Sequence, residues 1–269
     1  MPTDLLLLLS GLLAGAFGAL LGLGGGILIV PILTFGFGVP LTAAVGTSLI
    51  CVIATSTGAA AINVSAGRAD VRLGITLGAG TVVGAVTGGV VAGFLPDRVL
   101  AGLFAALLAY TAVTMSRRLL GSGVAADDGA QLDPAAPDGP DAPGYRGHRL
   151  PVAVGGSFLA GNVSGLLGVG GGVVTVPLIH LVMGAPMRIA VTTSNFMIGI
   201  TAAAGAYAYL FRGDVDPRLA APVVLGVAGG AALGAAVSAR VRSSWLMGLF
   251  VVVVVYVAFR MAVRAAGGS

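Results

Sequence analysis

Gly22-Leu23-Gly24-Gly25-Gly26 and, 146 residues later, Gly168-Val169-Gly170-Gly171-Gly172 each interrupt an apolar run that is too long for one membrane crossing. The runs cover roughly residues 5–37 and 152–183, whereas about 20 apolar residues suffice for some 30 Å of hydrocarbon. Each glycine forfeits about 1 kcal/mol of helix propensity relative to Ala, so three in succession predict a break. Both long runs therefore read as two helical pieces joined at a glycine cluster.

Working outward, charge, Pro and Gly divide the rest into apolar blocks at 41–64, 73–95, 99–116, 187–210, 219–239 and 243–263. With the two broken runs these make about ten helical segments and predict an all-α polytopic membrane protein. Composition agrees: 57% of the 269 residues are apolar, 9% are charged, and the mean hydropathy is +1.04. A soluble domain carries about a quarter of its residues as charges to cover its surface, so the solvent here is lipid. All fourteen cations are Arg and all ten anions are Asp. The pI near 9.8 does not indicate a nucleic-acid binder, because the arginines come singly or in pairs between apolar blocks. Cys51 is the single cysteine, which excludes an intramolecular disulfide framework and a Cys-rich metal site. Met1-Pro2-Thr3-Asp4 lacks the positive region of a secretory signal, so Leu5 to Leu9 reads as mature membrane helix.

The 146-residue offset persists through most of each half. It maps Val30-Pro31 onto Val176-Pro177, Pro40 onto Pro186, Thr47-Ser48 onto Thr193-Ser194, and Asp70 and Arg72 onto Asp216 and Arg218. Residues 1–119 and 150–269 thus read as two copies of one membrane unit. Between them, residues 120–149 are rich in Asp and Pro and poor in apolar side chains, which predicts a flexible linker. Two halves with corresponding broken helices point to a secondary transporter whose site lies where the breaks meet. Five segments per half, an odd number, imply inverted repeats; eight simple crossings with parallel halves are the alternative. The 11 residues Ile27 to Phe37 favour inversion, being too short to span alone. Either topology puts the linker in the cytoplasm by the positive-inside rule, the inverted one with nine of the fourteen arginines on that side.

No Asp falls within a block, so the interior offers no carboxylate relay for proton coupling, and no metal or cofactor is expected. What remains inside is neutral and hydrogen-bonding, which suits an anion. A helix restarting after Gly24-Gly25-Gly26 or Gly170-Gly171-Gly172 presents free backbone N–H groups and the positive end of its dipole. Pro40 and Pro186 read as first-turn prolines, and seven further residues at about 1.5 Å each bring Thr47-Ser48 and Thr193-Ser194 some 10 Å into their helices. Asn195 follows the second pair. Asn162, His180 and Arg188 are further candidates for a substrate or proton contact. The glycines Gly80, Gly84 and Gly88, matched by Gly226, Gly230 and Gly234, have the spacing of four that close helix packing uses.

Leu20 to Gly26 followed by Val30-Pro31, Pro40 and Gly46-Thr47-Ser48, repeated as Leu166 to Gly172, Pro177, Pro186 and Thr192-Thr193-Ser194, resembles the sulfite exporter TauE/SafE family. The resemblance covers both halves and leaves out the linker and tails. It implies a multi-pass transporter of the bacterial inner membrane that exports sulfur-containing anions such as sulfite, sulfoacetate or other sulfonates. Asn195 stands against Leu49 and His180 against Thr34, departures from symmetry that bear on substrate and direction. An anion channel, or a carrier of a different small anion, is the competing reading. One His and no carboxylate within the spans argue against an enzyme. The expected partners are the anion and the lipid bilayer, with a homodimer left open and nucleic acid excluded.

Overall fold

The computed structural model describes residues 2–21, 26–65, 70–120, 150–238 and 243–267, all helical apart from short connections. The first half contributes α1 (Pro2–Leu21), α2 (Gly26–Pro31, extended by a π turn over Ile32–Gly36), α3 (Leu41–Ser65), α4 (Val71–Ala92) and α5 (Asp97–Leu120). The second contributes α6 (Leu150–Leu167), α7 (Gly172–Met183), α8 (Met187–Arg212), α9 (Pro217–Ser238) and α10 (Ser243–Ala265). Parts of α3, α4, α5, α8 and α9 are long and apolar enough to cross a membrane, while α1, α2, α6 and α7 hold shorter apolar helices. Gly24, Gly25 and the linker from residue 121 to 149 lie outside the described residues.

Local chemistry sets the boundaries. Asp70 stands in extended conformation before α4 and accepts a 2.9 Å hydrogen bond from the Leu73 N–H, a side-chain N-cap. Gly184 and Gly213 end α7 and α8 in the left-handed region, at φ 67° and 75°, where a glycine carries no Cβ penalty. Pro186 is the N-cap of α8, and Pro40 directly precedes α3. Both prolines therefore sit just before their helices and not in the first turn, because a proline's fixed φ serves either place.

Two crossings built on backbone contact hold the halves together. Along α4, a Cβ at Gly80, Gly84 or Gly88 would run into the carbonyl of Val154, Phe158 or Asn162 in α6. Along α9, a Cβ at Gly226, Gly230 or Gly234 would meet the carbonyl of Leu8, Leu12 or Ala16 in α1. The facing helices are equally bare, since Gly161 and Gly165 close on the backbone of Thr81 and Ala85, and Gly11 and Gly15 on that of Val223 and Val227. In lipid there is no hydrophobic force between helices, so such close approach, which maximises dispersion, holds them together. The contacts climb together, so α4 and α6 run in the same direction, as do α1 and α9.

Repeat-mates pack the other way. Gly46, Gly205 and Gly199 place α3 residues 46, 49 and 56 against α8 residues 209, 205 and 199, which makes α3 and α8 antiparallel. Gly102 lies against Ala265 and Gly267 against Arg98, so α5 and α10 are antiparallel as well. Large apolar side chains such as Leu5, Leu13, Phe94, Leu159, Phe211 and Leu225 are left on the outside, while the interior mixes Leu, Ile and Val with Ala and buried Ser and Thr hydroxyls. That distribution suits a lipid solvent.

Candidate functional site

Gly26, the last glycine of the first cluster, meets the second break, and a serine joins them. Ser48, fully buried about two helical turns into α3, lies 3.1 Å from the carbonyl oxygen of Gly26 and 2.8 Å from that of Gly168. Its hydroxyl therefore donates between the end of its own break and the start of the other. Gly26 must lack a side chain, because a Cβ there would lie 2.8 Å from the Gly168 carbonyl and 3.1 Å from Ser48 Oγ. Val52 and Ile198, which correspond under the 146-residue offset, close on Gly170 from α3 and α8.

The second break is described throughout. Gly168, Gly170 and Gly171 all have positive φ, 72° to 80°, a backbone that few other residues tolerate. This path turns the chain so that α7 restarts at Gly172 with Gly171 as its N-cap. The N–H groups of Val174 and Thr175 and the Thr175 hydroxyl bond the Gly171 carbonyl, which leaves the Gly172 and Val173 N–H groups leading the helix. Two serine hydroxyls flank that opening. Ser164 Oγ lies 3.5 Å from the point where a Cβ on Gly171 would stand, and Ser194 Oγ 3.9 Å from the same point on Gly172. Both side chains are fully buried, and neither hydroxyl has a hydrogen-bond partner among the described residues. A buried hydroxyl without a partner costs roughly 1–3 kcal/mol, so the pair beside this helix N-terminus is the candidate place for a hydrogen-bond acceptor.

The other sequence candidates are dispersed. Thr193 is buried, and its hydroxyl accepts a 3.0 Å bond from the Asp70 N–H at the head of α4, facing away from the break. Neighbouring residues on a helix point about 100° apart, so a Thr-Ser pair cannot present both hydroxyls to one ligand. Thr47 is buried, and Asn195 is half-buried on α8. Asn162 donates to the Thr87 hydroxyl at 3.1 Å and ties α6 to α4. His180 is exposed near the end of α7, its Nδ1 donating to the Ala185 carbonyl at 2.9 Å. Arg188 lies in the first turn of α8, and its side chain is outside the described residues, as are Gly24 and Gly25. Among the described residues no group of His, Cys, Asp or Glu could hold a metal ion, and Cys51 is a buried free thiol. Sequence reasoning passed over Ser164, Tyr209 and Arg212. Only the place of Ser164, one turn before the second glycine cluster, could have marked it.

Equivalent serines should respond differently to the same change. Ser48→Ala removes the one hydroxyl proton shared between the Gly26 and Gly168 carbonyls and is expected to lower stability by about 1–3 kcal/mol in thermal denaturation. Ser194→Ala removes a hydroxyl with no partner to lose and is expected to leave the midpoint unchanged or raise it. Equal losses at both positions would contradict the bonding described for Ser48.

Residues 7–261 match the family described as Sulfite exporter TauE/SafE. The probable membrane transporter protein YunE of Bacillus subtilis is 25% identical over 259 residues, 94% of either chain. A probable membrane transporter protein of Methanocaldococcus jannaschii is 29% identical, over 76% of this chain and 72% of its own length. The probable membrane transporter protein YdhB of Bacillus subtilis is 26% identical, over 86% of this chain and 87% of its own. No solved structure matches the chain significantly. The match spans both halves, both glycine breaks and the serines beside them, so this multi-pass membrane transporter, not an enzyme, belongs to the sulfite exporter TauE/SafE family.

Proposed function

We propose that the chain exports a small sulfur-containing oxyanion, of the sulfite or sulfonate class, by alternating access about the paired glycine breaks. The observation that carries this is the opening of α7, where Ser164 and Ser194 offer two buried, unpartnered hydroxyls beside leading backbone N–H groups. All these groups are neutral donors, and the helix dipole adds a partial positive charge of about half a unit, so the guest is an anion. An oxyanion carries several acceptor oxygens for such a set. Ser164 corresponds to Gly18 under the offset, so the donor pair belongs to the second half alone.

The halves are taken to insert with opposite orientation. Repeat-mates α3 and α8, and α5 and α10, pack antiparallel, as two units related by an axis in the membrane plane would. The linker is then cytoplasmic and the C-terminus external, in the inner membrane of a bacterium. A reporter fused to Ser269 tests this: activity on the outer side is expected, and cytoplasmic activity would contradict the inverted arrangement.

Counterflow in proteoliposomes tests the carrier itself. Vesicles loaded with unlabelled sulfite are expected to accumulate labelled sulfite transiently, with a rate that saturates. Flux that rises linearly with concentration and shows no counterflow would mean a channel.

A further inference from the structure

We propose that Arg212 and Tyr209 form a clamp that keeps the central site closed on the membrane face at which α4 and α8 end, and that Tyr209 also fixes the chain leading into the second glycine break. The proposal rests on the alternating-access reading above. Arg212, the last residue of α8, lays its guanidinium 4.6 Å above the Tyr209 ring. Its Nε donates to Asp214 Oδ2 at 2.7 Å, and Nη2 stands 2.6 Å from the same oxygen as an ion pair. Its other arm crosses to the first half and donates to the carbonyls of Gly89 and Val90, in the last turn of α4. The Val90 carbonyl also accepts from the Gly93 N–H that caps α4, and both carbonyls carry the helix's negative end, so the guanidinium reinforces that C-cap from another helix.

The surroundings are shaped to admit it. A Cβ on Gly93 would stand 2.8 Å from the Arg212 guanidinium, and one on Gly89 2.8 Å from the Ala208 Cβ and 3.6 Å from the Tyr209 ring. Below the guanidinium, Tyr209 is fully buried, and its hydroxyl donates to the Gly165 carbonyl at 2.9 Å, with that of Leu166 at 3.3 Å. These belong to the end of α6, directly before the turn at Gly168. One chain of contacts therefore runs from Asp214 at the surface through Arg212 and Tyr209 to the break that opens the anion site. It ties α8 of one half to α4 of the other, so opening this face has to release it. The first half lacks the parts, since 146 residues earlier stand Asn63, Ala66 and Arg68.

Cysteine accessibility tests the clamp without requiring transport. Ala206, buried one turn inward of Tyr209 on α8, is changed to Cys in a Cys51→Ala background. A membrane-impermeant maleimide is then applied to each face, using spheroplasts and inside-out vesicles. With Arg212 intact, slow labelling from both faces is expected. With Arg212→Gln, labelling is expected to accelerate about tenfold from the clamp face alone, the population shift that follows loss of charged hydrogen bonds. Arg212→Lys, which cannot stack and fork in the same way, should fall between. Should Arg212→Gln fail to accumulate, Asp214→Asn is read in the same manner. Tyr209→Phe keeps the ring but loses the hydroxyl, so sulfite binding should weaken about threefold to tenfold with labelling unchanged. Unaltered labelling in folded Arg212→Gln protein, or an equal rise from both faces, overturns the clamp. Face-specific opening in protein that shows no counterflow upholds it and overturns the carrier reading.

Discussion

Gly84→Leu is expected to leave almost no folded protein. A Cβ at this position overlaps the carbonyl of Phe158 and comes 2.9 Å from the Asn162 nitrogen, both backbone atoms of α6. No rotamer relieves a backbone clash, so α4 and α6 have to separate along their whole crossing and break the Asn162–Thr87 bond. Overpacking a side chain into a core costs about 1–3 kcal/mol, and driving two backbones apart costs more, against a total stability of roughly 5–15 kcal/mol. Gly230→Leu, which strikes the Leu12 carbonyl in the equivalent crossing of α9 with α1, should behave alike. Gly229→Leu is the control. That glycine is exposed, has nothing within 4 Å of a Cβ, and lies one residue away on the same helix. It should accumulate normally and melt at or above the parent temperature, because Leu is the better helix former by about 1 kcal/mol or less. Size-exclusion yield and thermal denaturation in detergent read all three, and a Gly84→Leu protein that behaves like Gly229→Leu would contradict the crossing.

Much of this architecture is legible in the sequence because it is written in residues with few options. Three consecutive glycines forfeit helix, and the structure starts α7 at Gly172 and α2 at Gly26. Pro40, Asp70, Pro186 and Gly213 mark ends within a residue or two, because a proline, a capping carboxylate or a left-handed glycine acts locally. The glycines spaced by four on α4 and α9 read as packing positions and lie against backbone carbonyls.

What was not legible depends on azimuth and distant partners. The motif Thr193-Ser194 looks like one unit in a string of letters, yet the helix turns Thr193 to Asp70 and Ser194 to the break. Ser164 carries no motif, and only the fold brings it beside Gly171. Arg212 and Asp214 look like ordinary loop charges, because their meeting with the end of α4 spans more than a hundred residues of sequence.

The other large effect is expected at the anion site. Removing both hydroxyls, as Ser164→Ala with Ser194→Ala, takes away two side-chain donors and leaves only backbone N–H groups at the start of α7. A hydrogen bond to a charged group contributes about 1.5–3 kcal/mol, so losing two weakens anion binding about a hundredfold or more. Stability without ligand should not fall, since neither hydroxyl has a partner among the described residues. That combination separates a ligand site from a structural one, because a structural pair would lower the melting temperature and leave affinity alone.

The most direct measurement is a sulfite titration of purified parent and Ser164→Ala/Ser194→Ala proteins, followed by ligand-induced thermal shift. A saturable rise in the parent melting temperature is expected. In the double variant the unliganded midpoint should be unchanged and the sulfite response displaced to at least about hundredfold higher concentration. An identical titration in both proteins would contradict an anion site at the head of α7.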